Sequence, residues 1–406
     1  MSNVTHYIAT LILNPDSSSL EAKVRLLYRS TAKSETASFL LHRNLQMEQL
    51  TGSELVSYEK REGCDFPFTP EADTWQLRWA RPLQPDQTCE LQWHYRGALT
   101  QPLPWGVNRL SPNWAEIGLY MPWFPWNPHG GLFTYQVEVG LPPRYSLVGT
   151  GEVARTDAGL WQLSSLTPVS DISIIAAPNL HQISSQAGGA CLRVHHVPGE
   201  NETGLSSLVA DGLWVLEFFQ DWFADSGRRE VDVVVAPRTE GGGYARPGLI
   251  VLSSLADHKP EQRARLLRYI AHEFAHLWWA GADVSTWEDW LNESFAEFSA
   301  QKALRARLGE EALAASLARM RARLPGLPPI RGIEREAEEA HPVLYTKGAL
   351  LLFDLEQLIG EARMTELLRQ RLIRHVCSTA GFLSLLGEIA GKEAVITFDR
   401  WLDRHH

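Results

Sequence analysis

His272-Glu273-Phe274-Ala275-His276 sets two imidazoles and a carboxylate within about one helical turn. Side chains four apart on a helix share a face, so His272 and His276 can grip one metal ion together. Zinc accepts imidazole nitrogen readily, and a catalytic zinc site has three protein ligands and one open position. Glu273 adjoins the first ligand and is placed to act as a general base toward water. The pattern names a reaction class: metal-assisted hydrolysis, usually of peptides. The plain alternative is an amphipathic helix with two incidental histidines. The flanks, Leu266-Leu267 and Tyr269-Ile270-Ala271 before and Leu277-Trp278-Trp279-Ala280 after, are mostly apolar. In so apolar a helix, two histidines and a glutamate need a polar purpose.

A third ligand is sought downstream. The chain passes Gly281-Ala282-Asp283 and reaches Trp287-Glu288-Asp289-Trp290-Leu291-Asn292-Glu293-Ser294-Phe295-Ala296-Glu297. That gap suits a short turn and a second helix packed on the first. Glu293 and Glu297 are four apart on it, so both can face the metal.

These two segments together resemble the gluzincin aminopeptidases, the family of membrane alanyl aminopeptidase and leukotriene-A hydrolase. The family separates its second histidine from its third ligand by eighteen residues; here sixteen intervene, and Ser294 stands where glycine is usual. A loop shortened near Asp283 to Thr286 accounts for the spacing. The resemblance assigns the third-ligand role to Glu293 rather than Glu297. Tyr345-Thr346-Lys347-Gly348 matches a downstream family signature whose tyrosine hydrogen-bonds the developing oxyanion. Read from the residues alone, a tyrosine opening an apolar helix is a core residue.

Two further landmarks concern substrate. The family's Gly-x-Met-Glu-Asn stretch corresponds to Gly242-Gly243-Tyr244-Ala245-Arg246, so Gly242, Gly243 and Tyr244 are expected to line the substrate site. The family's glutamate, which holds a free amino terminus, is replaced by Ala245, and Arg246 adds a cation. Glu116, nine residues before Pro125, matches a second family position that contacts the same amine. An ordinary loop carboxylate is the competing reading of Glu116.

The rest of the chain bounds the answer. Its 406 residues are ample for two or three domains. Four cysteines without CxxC spacing speak against a cysteine metal site or a disulfide framework. The formal charge of −10 argues against nucleic acid as a partner. Eighteen uninterrupted apolar residues occur nowhere, so no membrane span is expected, and no signal peptide is visible. These point to a cytoplasmic protein acting on peptides, its oligomeric state left open.

Period-two alternation dominates residues 1–195, as in Trp75, Leu77, Trp79 and in Cys89, Leu91, Trp93, Tyr95. Helical periodicity follows over 196–406. The fold expectation is α+β: an antiparallel saddle-shaped β domain, then a thermolysin-like, mostly helical zinc domain. A Pro/Trp-rich stretch from Pro102 to His129 is expected as a rigid ordered loop. The expected zinc helix runs from about Gln262 to Ala280, and the ligand helix from Trp287 to Leu308. The helical carboxy-terminal domain of many relatives is expected to be missing. The functional expectation is a zinc-dependent peptidase, most simply an aminopeptidase. A zinc endopeptidase or processing peptidase is the alternative, and a non-catalytic scaffold of the same fold a remote one.

Overall fold

The computed structural model describes residues 4–100, 103, 106–227 and 229–405. The alternating strands form as their patterns dictate. In Thr5–Asn14 the residues Tyr7, Ala9, Leu11 and Leu13 point inward and their neighbours outward. This strand sits inside a seven-stranded sheet with Ser19–Arg29, Thr88–Ala98 and Leu45–Gly52 on one side. On the other side lie Phe133–Gly140, Trp161–Val169 and Glu152–Arg155. A three-stranded sheet, Ser34–His42, Ala72–Leu83 and Leu55–Arg61, covers its inner face. Tyr28, Phe39, Trp75, Trp79 and Trp93 interlock between the two. Pairing is antiparallel throughout except where Thr5–Asn14 runs parallel to Phe133–Gly140.

A smaller sheet of Arg109–Ser111, Trp114–Ile117, Ile174–Pro178 and Tyr145–Gly149 faces the second half of the molecule. Two of its short strands fall within the expected Pro102 to His129 loop. Residues 102, 104 and 105 lie outside the described residues; Arg109–Ser111 and Trp114–Ile117 are paired strand, most of the remainder is loop, and Met121, Trp123 and Phe124 are core.

The second half opens with a five-stranded sheet, in the order His181–Ala187, Ala190–His196, Arg229–Ala236, Leu249–Ser253, Tyr244–Arg246. The expected boundary at 195 therefore falls inside Ala190–His196, a strand hydrogen-bonded to Arg229–Ala236 in this sheet. We place the division at 179–180, ahead of the first of these strands. Alternation misplaced it because His181–Ala187 and Ala190–His196 form a hairpin whose pattern does not reveal which sheet it joins. Arg229–Ala236 is apolar on both faces because both are covered. Val231, Val233 and Val235 face the helices, while Val234 and Ala236 face Val107, Trp114 and Ile175 of the amino-terminal half.

Helices pack on the other side. Asn201 caps Glu202–Phe223 by accepting from the Gly204 amide at 2.9 Å. The histidine helix, Arg263–Ala275, buries Leu266, Leu267, Ile270 and Phe274. It stops five residues short of the expected Ala280, and a tight turn through Trp279 continues it. The glutamate helix, Trp290–Leu308, follows a short 3-10 turn at Trp287–Asp289 and is buried all round. Five more helices, Glu310–Arg321, Gly348–Ile359, Glu361–Ile373, Thr379–Ala390 and Lys392–Leu402, follow it.

One buried ion pair ties the halves together. Asp171, 1% exposed, accepts from the Arg246 guanidinium at 2.8 Å, from Ser173 at 2.8 Å and from the Leu119 amide at 2.9 Å. Arg246 also lies over the rings of Tyr120 and Tyr244. Removing one member of such a pair leaves a buried charge uncompensated. Arg246→Met should therefore cost about 3–5 kcal/mol in denaturant unfolding. An unchanged unfolding midpoint would show that this pair adds nothing to the joining of the halves.

Candidate metal centre and cleft

The histidine and glutamate helices cross so that His272, His276 and Glu293 converge. One ligand atom from each lies within 4.8 Å of the others. The Glu293 Oε2 is 3.3 Å from His272 Nε2 and 3.4 Å from His276 Nε2. The far side of each imidazole is also held. His272 Nδ1 lies 3.2 Å from the Glu297 carboxylate, and His276 Nδ1 lies 3.1 Å from the Trp279 carbonyl. Such outer contacts fix which nitrogen faces the metal. The early end of the histidine helix has a function here, since the turn it permits brings the Trp279 carbonyl back to His276.

Glu297, weighed in the sequence as a ligand, takes this supporting role. Its other partners are Arg268 at 2.6 Å and Gln301 at 2.7 Å. Burial opposes its charge, but Arg268 and His272 hold the carboxyl down at about 2. Burial likewise opposes the His272 imidazolium, and Glu293 with Glu297 overrides it to about 10. Burial works against the Glu293 carboxylate too, and the two imidazoles pull it well below its ordinary range. The donor set fits a borderline-soft divalent cation: two imidazoles and one carboxylate. The Glu293 Oε2 is buried and has no hydrogen-bond partner, an acceptor left for a cation.

Glu273, also buried, faces the glycine edge of the sheet. A Cβ at Gly243 would sit 2.7 Å from its carboxyl carbon, so a side chain there would displace it. Burial pushes the Glu273 carboxyl up, and the imidazoles on either side oppose that. Tyr345 stacks on His272, centroids 5.5 Å apart, and on His341 at 4.1 Å. Burial and the Glu293 charge keep its hydroxyl protonated well above the ordinary range. It rides on one turn of π-helix, Pro342–Lys347; such turns recur at functional sites.

These groups open into one cleft of about 2430 Å³, lined also by Gly242, Gly243, Tyr244 and the aromatic residues Phe68, Tyr120 and Trp126 of the amino-terminal half. Of the expected site residues only Glu116 stands apart. It is 0% exposed and accepts from the Trp114 indole at 2.9 Å. Sequence reasoning missed His341 and Arg238. His341 carries a faint signal, lying four before Tyr345; Arg238 carries none.

Ser294 explains its own departure from the family's glycine. Its hydroxyl donates to the Leu344 carbonyl at 2.5 Å, fastening the glutamate helix to the turn that bears Tyr345. A Cβ on Gly348 would stand 1.8 Å from that hydroxyl oxygen.

Residues 213–401 match the family described as Peptidase family M1 domain. This match spans a little under half of the chain. A two-domain M1 zinc metallopeptidase bound to L-tryptophan superposes with TM-score 0.77 at 20% identity, covering 99% of this chain and 94% of that one. An M1 zinc metallopeptidase from Deinococcus radiodurans, bound to a Tyr-Ser-Ala substrate, gives 0.75 at 21%, covering 98% and 94%. The fold is thus that of the two-domain M1 peptidases. A puromycin-sensitive aminopeptidase of Caenorhabditis elegans is 30% identical over 133 residues, 30% of this chain and 14% of that protein. An aminopeptidase N of Streptomyces lividans is 23% identical over 306 residues, 66% of this chain and 35% of that protein. This chain thus spans a minor part of the curated relatives it matches.

Two expectations test this geometry. Glu297→Gln should weaken zinc affinity about 10–100-fold in a chelator competition, since it loosens His272. Affinity should also fall with pH, because zinc must displace the proton that His272 holds up to about 10. Undiminished affinity in the variant would leave Glu297 a mere neighbour. Separately, Gly348→Ala should be destabilising alone and less so beside Ser294→Gly. The coupling, roughly 0.5–3 kcal/mol for contacting residues, is read from a double-mutant cycle in urea. Additive effects would deny the contact.

Proposed function

We propose that this protein is a zinc-dependent peptidase of the aminopeptidase type. The observation that carries the reading is the convergence of His272, His276 and Glu293, with Glu273 and Tyr345 on the same cleft. Zinc held by these three residues would supply a Lewis acid for the scissile carbonyl and lower the pKa of water. Glu273, raised by burial, accepts the proton of the attacking water and passes it to the leaving amine. Tyr345, kept protonated, donates to the oxyanion as charge develops.

Peptide as substrate is supported by the volume of the cleft, about 2430 Å³, and by the Tyr-Ser-Ala bound to the Deinococcus relative. No helix among the described residues is long and apolar enough to cross a membrane. The four cysteines are free thiols, which suits a reducing compartment and supports the cytoplasm.

Glu273→Gln keeps the shape and removes the proton acceptor. Peptide hydrolysis should fall by roughly 10² to 10⁴ while elemental analysis finds zinc retained. Tyr345→Phe should lower kcat by about 10² to 10³ with little change in KM. Turnover at the parent rate in the first variant, or a pure KM effect in the second, would remove that residue from the mechanism.

A further inference from the structure

We propose that the arm of the cleft lined by Arg265, Arg319 and Arg323 binds a carboxylate of the peptide substrate, about three residues beyond the bond that is cut. This deepens the peptidase reading and rests on it.

Among the described residues, seven arginines line the cleft. Four of them bring their own carboxylate: Arg229 with Asp225, Arg246 with Asp171, Arg268 with Glu297 and Arg335 with Asp289. The other three are Arg265, Arg319 and Arg323. All three are exposed, and none has a carboxylate partner among the described residues. Glu261, four positions before Arg265, also lines the cleft but makes no ion pair with it. A guanidinium that keeps its fork of donors free matches a carboxylate two bonds at a time. In a chain of formal charge −10 these groups reverse the charge locally.

Helix periodicity gathers them along one arm. Arg265, Arg268 and His272 recur at i, i+3 and i+7 on Arg263–Ala275 and share a face. Arg265 therefore stands about 10 Å before His272 along the axis. His272 meets Glu293 and Arg268 meets Glu297, so the two helices run antiparallel, and Gln301 and Leu304 continue the cleft wall toward Arg265. Gly309 alone links Trp290–Leu308 to Glu310–Arg321, which folds back along it. Ser316, Arg319, Met320 and Arg323 line the cleft at i, i+3, i+4 and i+7, the last of them in the turn that follows the helix. Arg321, in the same last turn as Arg319, does not line the cleft. Arg265 works against its own helix, since it lies in a first turn without an acidic residue, where the dipole disfavours a cation.

An aminopeptidase leaves one residue on the acyl side of the scissile bond, so the rest of the peptide occupies such an arm. At about 3.3–3.6 Å per extended residue, the span from His272 to Arg265 holds about three residues. The carboxylate taken is then an Asp or Glu side chain at that place, or the chain end of a tetrapeptide.

Two pairs of probes separate these sources. One is the amidated pentapeptide Leu-Ala-Ala-Xaa-Ala with Xaa as Glu, Gln or Lys. The other is Leu-Ala-Ala-Ala with a free or an amidated carboxyl end. kcat/KM is expected to favour the carboxylate-bearing member by about 3–10-fold, chiefly through KM. The preference should shrink at about 0.5 M salt. Preference for Glu over Gln assigns the site to an acidic side chain, and preference for the free end assigns it to the terminal carboxylate. The triple substitution Arg265→Gln, Arg319→Gln, Arg323→Gln should abolish the preference, with zinc content and the unfolding midpoint reporting an intact fold. Arg319→Glu should turn it toward Lys. Ratios within twofold in both pairs overturn the proposal, and so does a preference that survives the triple substitution. Calorimetric binding to the zinc-loaded Glu273→Gln protein reads the same ratios without turnover. Failure of the parent to hydrolyse any of these peptides would sink the peptidase reading, while the binding ratios still decide this one.

Discussion

The Glu293 carboxylate between two imidazoles is the contact on which the rest depends. It joins two consecutive helices, Arg263–Ala275 and Trp290–Leu308, and it does so with groups that resist burial. Burial opposes both charges; the two imidazoles favour the Glu293 carboxylate, and Glu293 with Glu297 favours the His272 imidazolium. Each neighbour then serves that pairing. Glu297 steadies one imidazole, the Trp279 carbonyl steadies the other, and Arg268 balances Glu297. The glutamate helix must be buried all round to bring Glu293 in, which is why seven later apolar side chains from Leu344 to Leu355 wrap it.

The candidate metal centre was legible because helical periodicity is rigid. His276 lies four positions after His272, and that spacing alone places both side chains on one face. Trp75, Leu77 and Trp79 were legible for the corresponding reason in strands. The boundary was not legible. Strand patterns show which face is buried, not which sheet is joined, and His181–Ala187 with Ala190–His196 belongs to the second half through hydrogen bonds that leave no periodic trace. The end of the histidine helix escaped for a similar reason. Leu277, Trp278 and Trp279 continue the apolar character while the backbone turns beneath them.

Glu116 marks a different limit. Its spacing to Pro125 matches the family position, yet spacing says nothing of what surrounds a carboxylate. Arg238 is more than a hundred residues away and belongs to no motif. Only the stacking of the small sheet against Arg229–Ala236 and its neighbours brings Glu116 and Arg238 together. The same stacking resolves the cation that Arg246 seemed to add beside Ala245. Its charge is paired with Asp171 from the other half, and it lines the cleft together with the rings of Tyr120 and Tyr244.

The cleft wall follows from this arrangement of charge. Arg246 lies on Tyr120 and Tyr244, and Arg335 lies on Phe68 while pairing with the buried Asp289 at 2.9 Å. Both guanidinium groups bridge the halves by using a carboxylate at one end and an aromatic face at the other. Their hydrogen-bonding capacity is largely consumed in holding the molecule together. The amino-terminal half therefore presents aromatic surface to the cleft, while the opposite wall carries Glu273, Glu293 and Tyr345. Apolar surface thus lies on one side of the groove and these polar groups on the other. Gly243 edges that groove, and its lack of a side chain is what lets Glu273 stand so close.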